Sequence, residues 1–239
     1  MMYIPEVIKN LIMMNVLMFL ASMLFQPAMQ NYFAMYPFMS EGFEPYQLVT
    51  HMFMHASLKD GGFFHIFFNM YALFMFGRDS ELAMGAKKFL LLYFITGIGA
   101  VVLHQIAGYV ELQYALQQLT AEEVQLVMTK GFSYYMSGMN FSNESMAYAN
   151  SVLNQPAVGA SGAVYGVLVA FGMLYPNRVL LLLFPPIPIK AKYFVLIMGA
   201  IELYLGFNDN GNVAHFAHLG GALFGYIMIQ YWRRTGENF

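Results

Sequence analysis

In a strongly apolar sequence, six polar side chains have types and spacings that could do chemistry: His65 and Asn69, Ser161 and Tyr165, and His215 and His218. Residues four apart lie on one face of an α-helix, so His65 shares a face with Asn69, and Ser161 with Tyr165. A serine hydroxyl attacks well near neutral pH only when a base takes its proton during the attack, and histidine is the usual base. Ser161 and His218 have the types for those two roles. As a peptide carbonyl becomes tetrahedral its oxygen gains charge, which needs donors already in place; the Ser161 backbone N–H, Asn69 and His65 are the candidates. No carboxylate sits beside these groups in sequence. The expectation is therefore a Ser–His dyad whose imidazole is held by packing against the Tyr165 ring. With no cysteine in the chain, disulfides, a thiolate nucleophile and Cys-ligated metal are all excluded.

The elements that must position these groups follow from composition. Of 239 residues, 59% are hydrophobic and 10% are charged, far below the roughly 25% charge of soluble domains. That excludes a soluble globular protein and makes lipid the solvent. The balance of 11 basic against 13 acidic residues gives no signal for nucleic acid. A helix crossing the hydrocarbon needs about 20 mostly apolar residues. Uncharged stretches locate six such spans, at about 7–25, 61–77, 89–110, 157–175, 192–207 and 211–232. The fold class expected is all-α, a polytopic bundle forming a single membrane domain over residues 1–239. Glu6 and Lys9 flank the first span and no small-residue cleavage site follows, so it reads as retained. Glu202 interrupts the fifth. The apolar run Val179 to Ile189 is too short to span, and Pro185, Pro186 and Pro188 bar a helix interior, which puts the run at the interface.

Basic residues are retained on the cytoplasmic side. With the N-terminus inside, Lys9, Arg78, Lys87, Lys88, Arg178, Lys190, Lys192, Arg233 and Arg234 face the cytoplasm, and only Lys59 and Lys130 fall outside. Both termini are then cytoplasmic, as in a multi-pass protein of a bacterial inner or plasma membrane. Spans two, four and six enter from outside, each with a polar candidate in its first few turns, so the site opens to the external face. The small-xxx-small pairs Gly162/Gly166 and Gly221/Gly225 let two helix backbones approach closely in lipid. The external connection 111–156 begins with Leu112, Leu116 and Leu119. Thr120 then precedes Glu123 at capping-box spacing. The expectation is two short amphipathic helices resting on the bilayer surface, followed by an irregular Ser-, Asn- and Met-rich loop.

The chain resembles the rhomboid family of intramembrane serine proteases. GASGAVYG at Gly159 to Gly166 is similar to the family's GxSG nucleophile motif followed by the tyrosine that stacks on the catalytic histidine. HIFFN at His65 to Asn69 resembles its HxxxN oxyanion motif. AHFAHLGGALFG at Ala214 to Gly225 resembles the last-helix motif, in which the base is the histidine before the hydrophobic-Gly-Gly step. The resemblance implies Ser161 as nucleophile, His218 as general base, Asn69, His65 and the Ser161 N–H as oxyanion hole, and a transmembrane protein substrate cut near its external end. No cofactor and no metal are implied. Three features depart from the family pattern: Tyr46-Gln47 stands where many bacterial members carry Trp-Arg, the segment between His55 and His65 is longer, and the 111–156 connection is extended.

Blander readings apply elsewhere. His51 and His55 read as structural hydrogen-bonding residues, His104 as packing, and Glu202 as a residue at a water-filled edge, with a third catalytic member as its lesser alternative. A zinc site from His215 and His218 with His51 and His55 is disfavoured, since no His-Glu-x-x-His occurs. The rival functions are a non-catalytic rhomboid-like protein that binds membrane helices and a transporter or channel. The second would need polar residues along a continuous path, whereas here they stop at one depth.

Overall fold

A computed structural model describes residues 3–181, 186–208 and 214–236. Pro185 of the apolar run and Gly211, the expected start of the sixth span, lie outside them. The described chain runs α1 (Glu6–Leu24), α2 (Ala28–Phe33), α3 (Gln47–Thr50), α4 (Gly62–Met84), α5 (Ala86–Leu116), α6 (Ala121–Met136), α7 (Glu144–Asn154), α8 (Ser161–Leu174), β1 (Val179–Leu181), β2 (Pro188–Lys190), α9 (Ala191–Asn208) and α10 (Ala214–Arg234). Among the described residues two helices, α1 and α5, are long and apolar enough to cross a membrane by length and composition.

The helical stretches follow the apolar segments, with one informative extension. Helix α4, at the second expected span, does not stop at Arg78. It continues to Met84 and turns into α5 through Gly85 alone, whose φ of 81° is a conformation that side-chain-bearing residues rarely adopt. The charged residues on that last stretch each find partners. Arg78 and Arg178 both pair with Asp79. Glu81, buried, accepts hydrogen bonds from the Val7 and Ile8 amides at 3.1 and 2.9 Å. It thereby satisfies two of the N–H groups that the first turn of α1 leaves without helical partners.

The main core lies where α1, α4, α5, α8 and α10 meet, around Ile8, Leu73, Phe89, Tyr93, Val167 and Trp232. Around it the outward faces carry exposed large apolar side chains, Leu17, Phe64, Ile106, Leu196 and Tyr226 among them. Such a girth suits lipid and would be a liability in water.

Two expectations for the connections need correction. The 111–156 segment has a core of its own, formed by Leu112, Ala115, Val127, Met146, Ala149 and Leu153. Its first amphipathic stretch is simply the end of α5. The Thr120/Glu123 capping box does start α6, with both reciprocal hydrogen bonds present. The stretch read as irregular contains α7, capped by the Asn143 side chain, which accepts from the Ser145 and Met146 amides. Its polar composition hid the helix because Asn150 and Asn154 are buried and bonded to each other at 2.8 Å, so polar residues take core positions there. The proline-rich run, for its part, contributes β1 and β2, a short antiparallel hairpin pairing Val179 with Lys190.

Candidate active site

Ser161 opens α8 because the backbone up to Gly159 is not helical. Residues around Ala157 are extended and pair with Met35 through two backbone hydrogen bonds of 2.8 Å. Gly159 has φ 135°, and its N–H donates to the His51 carbonyl at 3.0 Å. A side chain at Gly159 would be strained and would also meet the His65 ring at 3.2 Å. Ser161 is thus the first residue of its helix, and its N–H is among those that no helical carbonyl can reach. The positive end of the helix dipole adds to that donor.

His218 reaches Ser161 because α10 lies against α8 with almost no separation. An added Cβ at Gly221 would stand 1.8 Å from the Gly162 carbonyl oxygen, and one at Gly225 would stand 2.6 Å from that of Gly166. The two glycine pairs seen in sequence therefore face each other. A third helix, unforeseen, completes the contact: Gly162 abuts Ala100, Gly166 abuts Thr96, and Gly220 abuts the Gly99 carbonyl, all on α5. In this arrangement Ser161 Oγ lies 2.8 Å from His218 Nε2. The Tyr165 ring stacks on the His218 imidazole, with centroids 4.3 Å apart and planes 9° from parallel.

His65 stands beside the pair on α4. Its Nδ1 accepts the Ala56 amide hydrogen at 3.3 Å, which puts the proton of the neutral ring on Nε2, the nitrogen nearest Gly159. Asn69, one turn on, is buried and donates from Nδ2 to the His65 carbonyl at 2.8 Å, leaving its second amide hydrogen for another acceptor. A cavity of about 60 Å³ adjoins the serine, lined by His51, His104, Gly159, Ser161 and His218 among others. It has room for a few waters by volume. His104, expected only as packing, forms part of that wall.

Glu202 was expected at a water-filled edge, and this is corrected: it is buried against the imidazole. Its Oε1 accepts the Tyr165 hydroxyl. Its Oε2 lies 2.6 Å from His215 Nδ1 and 3.0 Å from His218 Nδ1. The His215 contact is a hydrogen bond, while the His218 contact is close but out of line for one. The available signal was that Glu202 is the one acid inside an expected span, where an ionisable residue is functional by default. The same trio is the described cluster of metal-ligating types, which does not include His51 or His55. Ligands of a tetrahedral zinc, about 2.1 Å from the ion, stand roughly 3.4 Å apart. At 2.6 and 3.0 Å from Oε2, the two histidine nitrogens stand closer than tetrahedral ligands do.

The loop before α4 supports the site. Burial pushes the His51 imidazole down to about 4, despite the hydrogen bond between its Nδ1 and the Gln47 carbonyl, and His104 adds to the effect. Burial likewise holds His55 down at about 4, with His65 adding to it. Both rings are neutral at physiological pH. Gln47, the departure from Trp-Arg, is buried and ties the loop together: Oε1 accepts from the Tyr36 and Glu44 amides, and Nε2 donates to the Gly42 and Tyr32 carbonyls.

The Rhomboid domain family model matches residues 42–235. The chain belongs to the rhomboid family. It is similar to Rhomboid protease AarA of Providencia stuartii, 28% identical over an alignment of 185 residues that covers 72% of this chain and 54% of that protein. It is also similar to the mitochondrial Rhomboid protein 1 of Saccharomyces cerevisiae, 27% identical over 175 residues, 73% of this chain and 40% of that one. The chain thus spans about half, or less, of the length of these relatives. As a rhomboid it is an integral membrane protein.

Proposed function

We propose that this rhomboid is an intramembrane serine endopeptidase acting on transmembrane segments of other membrane proteins, with Ser161 as nucleophile and His218 as general base. The observation that carries it is the 2.8 Å contact between Ser161 Oγ and His218 Nε2, under the stacked Tyr165 ring. A relative named as a rhomboid protease supports the same activity.

In the first half-reaction Ser161 Oγ bonds to the scissile carbonyl carbon while its proton passes to His218 Nε2. The carbonyl oxygen becomes an anion, facing the Ser161 N–H, the free Asn69 amide hydrogen and the His65 Nε2–H. Collapse restores the carbonyl and breaks the C–N bond, and the Nε2 proton leaves with the amine. Water then repeats the sequence on the acyl-enzyme, with His218 taking its proton and returning it to Ser161 Oγ. Each oxyanion donor contributes about 2.7–4 kcal/mol to lowering such barriers.

The six-span topology belongs to this proposal, with both termini cytoplasmic and the site open to the external side. Along α10, His218 and Arg233 are 15 residues apart (233 − 218), or roughly 22 Å at 1.5 Å per residue. The Ser–His pair is therefore far from the Arg78, Arg178 and Arg233 end of the bundle, the end that basic residues mark as cytoplasmic. A helical substrate hides its carbonyls in its own hydrogen bonds, so it must unwind before attack; substrates should carry Gly or other weak helix formers near the outer boundary.

The test is labelling and cleavage by the purified chain in proteoliposomes. A fluorophosphonate should label wild type and not Ser161→Ala, and Ser161→Ala and His218→Ala should each abolish cleavage of a test transmembrane substrate. Cleavage that persists in either folded variant removes the proposal. A wild type that binds the substrate but neither cleaves nor labels would favour the non-catalytic helix binder.

A further inference from the structure

A serine–histidine pair needs no carboxylate, yet one is buried here. Among the described residues Glu81 and Glu202 are the buried acids. Glu81 is accounted for by the amides of α1. Glu202 caps no helix and pairs with no lysine or arginine among the described contacts. An ionised carboxylate inside a membrane domain is costly unless donors surround it. The described polar groups against Glu202 all belong to the catalytic neighbourhood: the Tyr165 hydroxyl and His215 Nδ1, which hydrogen-bond to it, and His218 Nδ1 at 3.0 Å.

These contacts line up with the chemistry. Ser161 Oγ lies 2.8 Å from one nitrogen of the His218 ring, and Glu202 Oε2 lies 3.0 Å from the other. A carboxylate beside Nδ1 favours the tautomer with its proton there, and this leaves the Nε2 lone pair free to accept from Ser161. The same carboxylate, through Oε1, holds the hydroxyl of Tyr165, the ring stacked on that imidazole. One side chain on α9 therefore restrains both the edge of the His218 ring and the plate beneath its face. The Nδ1 contact is out of line in the resting arrangement; catalytic hydrogen bonds of this kind tighten when the charged form appears.

We propose that Glu202 is a positioning residue for the Ser161–His218 pair, fixing the reactive tautomer of His218 and balancing the imidazolium formed when Ser161 attacks. This rests on the serine endopeptidase reading above. It turns the expected dyad, held by packing alone, into a Ser–His–Glu arrangement with His215 as a second anchor for the acid. Unlike the acid of soluble triads, Glu202 acts on the stacking tyrosine as well.

The experiment compares Glu202→Gln and Glu202→Asp with wild type and Ser161→Ala, using the full chain in proteoliposomes. Two rates are read: kcat and KM on a test transmembrane substrate, and the inactivation rate constant with a small fluorophosphonate, which does not depend on docking a substrate helix. Thermal melts establish that each variant is folded. In soluble triads, loss of the acid's charge costs up to about 10⁴-fold in kcat; with the contact out of line, the expected loss in Glu202→Gln is at least about tenfold. KM should stay within about twofold, and fluorophosphonate inactivation should slow in parallel with kcat. Glu202→Asp, which keeps the charge, should retain more of both rates than Glu202→Gln.

If Glu202→Gln does not fold, Glu202→Asp carries the test alone, with kcat and inactivation both reduced at unchanged KM. A folded Glu202→Gln at wild-type rates overturns the inference, as does slowed cleavage with unchanged inactivation, which would assign Glu202 to substrate handling. Activity removed by chelators and restored by zinc would overturn it too, by giving the same trio to a metal. The controls separate this inference from its foundation. If Ser161→Ala still labels, the serine reading itself fails; if it does not label while Glu202→Gln labels at the wild-type rate, only the role of Glu202 fails.

Discussion

Replacing Gly221 by alanine tests how far the site depends on helix approach. The new Cβ would lie 1.8 Å from the Gly162 carbonyl oxygen and 2.7 Å from its carbonyl carbon. Carbon and carbonyl oxygen normally come no closer than about 3.3 Å. Because the obstacle is backbone, no rotamer change can relieve it, and α10 must withdraw from α8 by about 1.5 Å (3.3 − 1.8). Gly162 follows Ser161 directly, and Gly221 is one turn from His218, so the displacement passes almost undiminished to the pair. Their 2.8 Å contact would open to about 4 Å, beyond hydrogen-bond range. Misplacement by 1 Å costs about 10²-fold in rate, so fluorophosphonate inactivation and substrate cleavage should both fall by about that factor or more. Stability should fall less. Overpacking costs about 1–3 kcal/mol, against which the alanine recovers up to about 1 kcal/mol of helix preference. Gly199→Ala on α9, where nothing lies within 4 Å of the new methyl, is the control and should leave both rates and the Tm unchanged or the Tm slightly raised. A folded Gly221→Ala variant keeping its rates within threefold of wild type would refute the link between glycine contact and catalytic geometry.

Other perturbations probe the surroundings. Asn69→Ala should lower kcat by about 10²–10³-fold at nearly constant KM; steady-state kinetics with unchanged kcat would take Asn69 out of the oxyanion hole. Gln47→Leu removes four hydrogen bonds from a buried loop tie and should cost about 2–3 kcal/mol, seen as a lower Tm and faster proteolysis between residues 36 and 47; a loop as protease-resistant as wild type would contradict it. His51 is held down at about 4 against its ordinary 6.5, so the unfolded chain binds the extra proton between those values. The stability from burying the neutral ring is complete above about pH 6.5 and is lost as pH falls towards 4, by about 3 kcal/mol in all. Thermal melts from pH 7.5 to 4.5 should show a smaller loss for His51→Gln than for wild type, and equal slopes would be the contrary result.

Much of the candidate site was legible because its members are written in local patterns. Uncharged stretches mark helices whatever their neighbours do, since the cost of a charge in hydrocarbon is paid residue by residue. The spacing of four between His65 and Asn69, and between Ser161 and Tyr165, sets a shared face by helix geometry alone. The glycine pairs marked the faces on which α8 and α10 meet, because only a missing side chain permits that approach.

What stayed hidden depends on how helices rotate against one another. Glu202 is 16 residues before His218 (218 − 202) on a different helix, and nothing in either segment says which side of α9 faces the imidazole. Glu81 meets the amides of α1 across more than 70 residues of chain, and Gln47 organises a loop by reaching four backbone groups that sequence spacing does not connect. The helix α7 escaped notice because its buried face carries asparagines that satisfy each other. The sequence by itself determined the solvent, the helices and the chemical types at the site. Only tertiary packing decided which polar group meets which, because a buried polar side chain is stable wherever donors converge, and that convergence is a property of the assembled bundle.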